Sequence, residues 1–256
     1  MQKWVEGTVV NQKRWTETLF TLQVEADVAA FEAGQFAKLA LAVEGEMIAR
    51  PYSFVNAPKE RPHEFYYVTL PDGPLTLRLR KLEAGDAIYL APRPAGFLAL
   101  SEIPDGENLW LISTGTGVGP FLSILKSEAP WKRFKQVVLV HAVRHAEELT
   151  YRDSLSRLLG EHGEQMRLVS FVSRENRPGA LHGRIPLAIE EGRLEAAAGV
   201  ALSAKTSRVM ICGNPEMVTD TQATLRNIPF AGADVKGTCV KCGQPSPAEA
   251  WFAKAY

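Results

Sequence analysis

The chain has 256 residues, 29 basic and 29 acidic, which is long enough for two domains with separate cores and too balanced to call for nucleic acid or an anionic membrane as partner. Three cysteines, an odd number, argue against a disulfide framework and suit a reducing compartment. The start, Met1-Gln2-Lys3-Trp4-Val5-Glu6, lacks the basic and then apolar run of a signal peptide, and no later stretch reaches the length of a membrane span, so a soluble, cytoplasmic protein is expected.

In chain order, Val5 to Val10, Leu19 to Val24, Gln35 to Val43, Ile48 to Val55, Glu64 to Thr69 and Ala87 to Ala91 alternate or run apolar, with turn residues between them. About six short strands at this spacing predict a small antiparallel β-barrel. One short helix is expected near Leu75 to Leu82. Within the fourth strand, Arg50-Pro51-Tyr52-Ser53 sets a cation, a hydroxylated ring and a second hydroxyl side by side. Alternation sends Arg50 and Tyr52 to one face and Ser53 to the other, or to a bend. Such a strand could meet a phosphate, an apolar ring system and a polar ring edge, which is what a flavin nucleotide presents. The same tetrapeptide also occurs in ordinary strands.

The pattern changes after Pro104-Asp105-Gly106, and a domain boundary is expected near residues 99 to 106. Leu109 to Ser113 is a continuous apolar run, as in a strand covered on both faces. Strand and helix signals then alternate: Val137 to Ala142 with Ala146 to Glu161, Leu168 to Val172 with Ile185 to Glu191, and Val209 to Cys212 with Pro215 to Asn227. This predicts an α/β domain with a parallel, doubly wound sheet. The turn Gly115-Thr116-Gly117-Val118-Gly119-Pro120 follows the first of these strands and opens a helix, the context of a dinucleotide-binding turn, although Pro120 replaces the third glycine of the usual fingerprint. A turn made tight only for packing would read the same way.

Where the second strand ends, an acidic residue for ribose hydroxyls is missing and His141-Ala142-Val143-Arg144 stands instead. Ser173-Arg174 closes the third strand and Arg184 follows. Strand C-termini of a parallel sheet lie on the ligand side, so these arginines are placed for an anion such as a 2′-phosphate, unless they are solvated surface charges. Cys212-Gly213-Asn214-Pro215 allows close backbone approach to a flat ring, or Cys212 packs as a small hydrophobe.

Taken together, Arg50-x-Tyr52-Ser53, Gly73-Pro74-Leu75-Thr76, the glycine turn and Cys212-Gly213-Asn214-Pro215, in this order and separation, resemble the ferredoxin–NADP⁺ reductases, and most closely the bacterial flavodoxin/ferredoxin type. The resemblance runs from Trp4 to about Leu225. It implies an N-terminal six-stranded FAD-binding barrel over residues 1–100 and an NADP-binding α/β domain over residues 101–256. Arg50, Pro51, Tyr52 and Ser53 would hold FAD, with Arg50 on the pyrophosphate, Tyr52 against the isoalloxazine and Ser53 near N5. Phe65, Tyr67, Val68 and Thr69 would line the flavin, and Leu75 and Thr76 would offer amides and a hydroxyl to its phosphates. Thr116 and Gly117 would take the NADP(H) pyrophosphate, and Arg144, Ser173, Arg174 and Arg184 the 2′-phosphate end. Cys212 and Asn214 would lie by the nicotinamide, with Ser53 and Cys212 as the contacts closest to the chemistry. The implied reaction passes a hydride between NADP(H) and FAD and single electrons to ferredoxin or flavodoxin, which requires no general base.

The tail departs from this pattern. Cys239-Val240-Lys241-Cys242 adds a C-x-x-C; with only Cys212 left over for four ligands, no metal site is expected, and a redox pair or two structural thiols remain. Trp251, Phe252 and Tyr256 are candidates for an aromatic segment folding over the flavin. Lys132-Arg133-x-Lys135, Arg144 and Arg152 are candidates for docking an acidic partner. A monomer is expected. Two other readings compete: an NAD(P)H-flavin reductase, and a non-enzymatic electron-transfer subunit of a larger complex.

Overall fold

The computed structural model describes residues 4–227 together with 237–238 and 245–246. The Cys239/Cys242 pair and the aromatic candidates Trp251, Phe252 and Tyr256 lie outside the described residues. The chain divides into two compact units. One runs to Glu102 and includes Thr116–Glu128; the other takes Ile103–Gly115 and the residues from Ala129 on.

The first unit holds β1 (Val5–Arg14), β2 (Leu19–Glu25), β3 (Phe36–Val43), β4 (Glu46–Ser53), β5 (His63–Val68), the short helix α1 (Thr76–Leu79) and β6 (Ala87–Leu90). They form one six-stranded antiparallel sheet in the order β4-β3-β6-β1-β2-β5. Its two outer strands meet where β4 runs out: Phe54 bridges Phe65, and the Val55 amide donates to the Glu64 carbonyl at 2.8 Å. The sheet is thereby joined at one end into the expected barrel. Period-two alternation fills its interior with Val9, Leu22, Leu39, Phe54, Phe65, Ile88 and Leu90. Phe31 stacks on Phe54 at 3.8 Å between ring centroids.

The helix that follows the glycine turn, α2 (Val118–Leu125), groups with this barrel, and all eight of its residues are buried. At Gly119 it packs close to the barrel: a Cβ there would stand 3.4 Å from Val55 Cγ2 and 3.9 Å from Tyr66 Cβ, at van der Waals distance. Ser123 donates to the Asn56 carbonyl at 2.7 Å, and Lys126 pairs with Glu64 at 3.7 Å. The sequence division at residues 99 to 106 does not anticipate this. A strand-turn-helix run reads as one local unit, whereas the buried face of α2 is matched to side chains far back in the chain.

The second unit holds β7 (Asn108–Thr114), α3 (Ala129–Arg133), β8 (Gln136–Val143), α4 (Arg152–His162), β9 (Met166–Val172), β10 (Leu181–His182), α5 (Ile185–Glu190), α6 (Arg193–Ala198), β11 (Ser207–Cys212) and α7 (Pro215–Asn227). Its five-stranded sheet runs β10-β9-β8-β7-β11, every pair parallel. The chain winds outward from β7 to β10 and then returns to β11 on the other side of β7. The order therefore reverses at β7, where the loops after β7 and β11 leave in opposite directions, the usual place for a ligand crevice. The helix expected over Ala146 to Glu161 is split: a 3₁₀ turn, Ala146–Glu148, is separated from α4 by Tyr151, whose φ of 57° breaks helical continuity. Two short strands, β12 (Gly237–Thr238) and β13 (Pro245–Ser246), pair antiparallel.

Each unit buries one histidine. His63 is fully buried in the barrel, with Phe31 and Phe54 at 6.0 and 5.3 Å; His141 is 1% exposed on β8. Burial lowers both from 6.5 to about 4, helped at His63 by Arg61 and only partly offset by the backbone of Ala26 and of Gly115 respectively. The folded state thus binds fewer protons than the unfolded chain below the ordinary histidine range. Stability should be flat above pH ~6.5 and fall toward pH ~4 by about 1.4 kcal/mol per pH unit for each histidine. Urea midpoints measured from pH 7.5 to 4.5 check this, with His63→Phe expected to flatten the slope for the first unit. Midpoints independent of pH would contradict it.

Candidate functional site

In the first unit, β4 is an outer strand of the sheet, which is why Pro51 can sit in it without costing a ladder bond. Arg50 is exposed, and its Nη1 donates only to its neighbour's carbonyl, Ala49, at 2.7 Å. Tyr52 is half-buried and presents its ring edge-on to Tyr67, with centroids 6.1 Å apart at 76°. Tyr67 is fixed in turn: its hydroxyl donates to Gln12 Oε1 at 2.6 Å, and Gln12 Nε2 donates to the Leu82 carbonyl at 2.9 Å. Burial pushes the Tyr52 phenol up to about 12, against the opposing pull of Arg50. At neutral pH it is therefore a neutral donor on a braced ring. Ser53, at the end of the strand, is half-buried.

Of the residues from Phe65 to Thr69 expected to line the flavin through side chains and backbone, two have rings that face the core. Phe65 is 0% exposed, and it and Tyr67 belong to the barrel core, so alternation turns both rings inward. Tyr66 takes the opposite face, a period-two consequence that a contiguous reading of residues 65 to 69 overlooks. Val68 is half-buried. Thr69 is tied to the Thr18 carbonyl by its amide at 2.8 Å and its hydroxyl at 3.2 Å. The Thr76 hydroxyl is likewise committed: it accepts from the Leu70 amide at 3.2 Å and donates to the Gly73 carbonyl at 3.4 Å. What this turn leaves for a ligand is the backbone amides at the start of α1, where no side chain caps the helix.

β7 is followed by Gly115 with φ +53°, and no side chain caps the N-terminus of α2. An uncapped N-terminus of this length leaves N–H donors and positive potential for an anion. The turn is held from below: Ser113 donates to the Val140 carbonyl at 2.8 Å, and Thr114 Oγ1 accepts from the Asn214 amide at 3.1 Å. Asn214 Oδ1 caps α7, accepting from the Glu216 and Met217 amides at 2.9 and 3.4 Å. Cys212 is a free, buried thiol that burial pushes up to about 12. It stays protonated and offers small volume rather than a thiolate.

Arg144, Arg174 and Arg184 all follow strand ends and are exposed. Among the described residues none of the three forms an ion pair, in contrast with Arg133, Lys135 and Arg193, which are paired with Asp105, Glu107 and Glu191. Ser173 donates back to the Val143 carbonyl at 3.3 Å. A further cation passed over in the sequence, Arg177, lines a cleft of about 270 Å³ with His141, Thr150, Arg152 and Ser170. The charge run proposed for docking loses force. Arg133 and Lys135 are neutralised as above, and Arg152 spends Nε and Nη2 on the Leu149 and Ala146 carbonyls. No group of three or more metal-ligating side chains occurs among the described residues.

Residues 111–223 match the family described as oxidoreductase NAD-binding domain. The flavodoxin/ferredoxin–NADP reductase of Shigella flexneri is 48% identical over 222 residues, covering 87% of this chain and 90% of that protein. The protein of the same name from Escherichia coli K12 is 47% identical with the same coverage. The chain belongs to the flavodoxin/ferredoxin–NADP reductase family. A solved ferredoxin NADP⁺ reductase from Neisseria gonorrhoeae, with bound FAD and NADP, superposes with a TM-score of 0.87 at 32% identity and full coverage of both chains. Two arrangements now have a context in this reductase family: a glycine turn with an uncapped helix start after a strand of the parallel sheet, and a braced tyrosine beside an arginine on a barrel strand.

Proposed function

We propose that this reductase binds FAD through strands of its barrel and NADP(H) through the glycine turn after β7 and the arginines that follow the parallel strands, and exchanges electrons with a ferredoxin or flavodoxin. On the FAD side, Arg50 meets the pyrophosphate together with the Leu75 and Thr76 amides. Pro51 shapes the strand, Tyr52 lies against the isoalloxazine and Ser53 hydrogen-bonds near its reactive edge. Thr116 and Gly117, at the uncapped start of α2, take the NADP(H) pyrophosphate. Arg144, Ser173, Arg174 and Arg184 take the 2′-phosphate, and Cys212 and Asn214 border the nicotinamide. When bound, the two cofactors supply hydride exchange and the release of electrons one at a time. The chain's own part is to bind, orient and exclude water, and its two deeply buried histidines, neutral at pH 7, serve the cores rather than proton transfer. A cytoplasmic monomer is part of the same proposal. Among the described residues no helix is long and apolar enough to cross a membrane.

The observation that carries this reading is the set of guanidiniums at the strand ends, exposed and without carboxylate partners, where a cofactor lacking the 2′-phosphate would call for an acid. The test is an absorption spectrum of the purified chain before and after anaerobic NADPH and then NADH. Flavin bands that bleach much faster with NADPH are expected. A colourless protein would favour the flavin-reductase reading, and iron–sulfur absorption the electron-transfer subunit. Tyr52→Ala should leave the barrel folded, weaken FAD retention by about tenfold or more and shift the visible bands, because it removes a braced aromatic face worth roughly 1–3 kcal/mol. Unchanged FAD retention on gel filtration would remove Tyr52 from the site.

A further inference from the structure

Parallel pairing between β8 and β9 does not stop at the strand ends. The Ser173 amide donates to the Val143 carbonyl at 3.1 Å, and the Arg174 amide donates to the Arg144 carbonyl at 3.0 Å. The backbones of Arg144 and Arg174 are thus tied directly to each other, so two like charges are carried side by side. The ordinary relief would be a carboxylate paired with each guanidinium, which would also occupy the donors needed for an anion. Glu148 and Glu175 flank the two arginines in the chain, and among the described residues neither pairs with a guanidinium.

Both carboxylates are spent on backbone amides instead. Glu148 Oε2 accepts from the Arg144 amide at 2.8 Å and the His145 amide at 3.0 Å. Glu175 Oε1 accepts from the Ala146 amide at 2.5 Å and lies 4.0 Å from His145 Nδ1. The His145 side chain accepts in return from the Glu148 amide, closing a capping box over the 3₁₀ turn Ala146–Glu148. Carboxylates beside a dianion site weaken it electrostatically, so their presence calls for a compensating role. Here both fix the backbone of the Arg144 loop, Glu148 from within it and Glu175 from the loop after Arg174, while leaving the guanidinium forks open.

We infer that Glu148 and Glu175 are positioning residues for NADP(H) selectivity, holding the Arg144 loop by its backbone amides, with Glu175 also tying that loop to the one that carries Arg174, so that both guanidiniums stay open to a 2′-phosphate. The inference rests on the reading above that this cluster takes the 2′-phosphate.

The two roles of each carboxylate, acceptor and charge, separate on substitution: glutamine keeps the acceptor oxygen and alanine removes it. The test is calorimetric titration of the full chain with adenosine 2′,5′-bisphosphate and with adenosine 5′-monophosphate. Glu148→Ala and Glu175→Ala should each weaken the bisphosphate by about tenfold and the monophosphate by less than about twofold, with the glutamine variants restoring most of the loss. Turnover at saturating NADPH should be unchanged while KM for NADPH rises. Alanine variants that bind the bisphosphate like the native chain, or that weaken both nucleotides alike, overturn the positioning role. Arg174→Ala tests the underlying reading separately: it must lose the bisphosphate selectively, and an equal loss of both nucleotides would overturn that reading and the inference with it. Should Glu175→Ala not fold, Glu148→Ala makes the same comparison on the amides of Arg144 and His145.

Discussion

Replacing Arg144 and Arg174 together with alanine should raise KM for NADPH by about 10²-fold or more, leaving KM for NADH and turnover within about threefold. The asymmetry follows from what the two side chains do in the folded chain, which among the described residues is to pair with no acid. Removing them leaves no carboxylate stranded, since Glu148 and Glu175 bond to backbone amides, so the fold has little reason to respond. Each guanidinium contributes charge-assisted, forked hydrogen bonds to a dianion and nothing comparable to a ribose hydroxyl. Steady-state kinetics with both cofactors decide the matter, and a similar rise for NADPH and NADH would mean that the arginines do not read the 2′-phosphate.

The second large effect is on stability. Gly213→Ala should cost about 3 kcal/mol or more, because it adds a side chain at a φ that L-residues rarely adopt and forces a contact at the same time. Gly213 has φ +151°, and a Cβ there would stand 2.1 Å from Thr114 Oγ1 and 2.9 Å from the Thr114 amide. The hydroxyl cannot move without cost, since it accepts from the Asn214 amide, and Asn214 in turn caps α7. Thermal unfolding should shift down by about 6–12 °C. Adding Thr114→Gly should recover part of the loss, and that coupling is the signature of the contact. A single variant as stable as the native chain would show that the turn between β11 and α7 relaxes freely.

Much of the fold was legible from local chemistry. The buried run Leu109–Ile112 became β7, an interior strand of the parallel sheet, since a strand covered on both faces has no polar face to show. Helix α7 begins and ends where Pro215 and Asn227 said it would, because Asn214 caps it and proline suits its first turn. The strand β10 was not legible: two residues leave no periodicity to detect. Nor were the short helices α3 and α6, of five and six residues, for the same reason.

For the site, sequence by itself determined which residue types stand at strand ends and turns: the arginines after β8 and β9, the glycines after β7 and β11, and Arg50-Pro51-Tyr52-Ser53 on a barrel strand. It determined the family as well, through four motifs in order. Only the tertiary structure decided what each group has left to offer. Phe65 and Tyr67 turned into the core, the Thr76 hydroxyl went to its own turn, Lys135 and Arg133 found acids, and α2 joined the barrel. The physical reason is that side-chain availability depends on partners distant in sequence. A hydrogen bond such as Tyr67 to Gln12 spans 55 positions, and no local pattern carries information about who will be waiting at the other end.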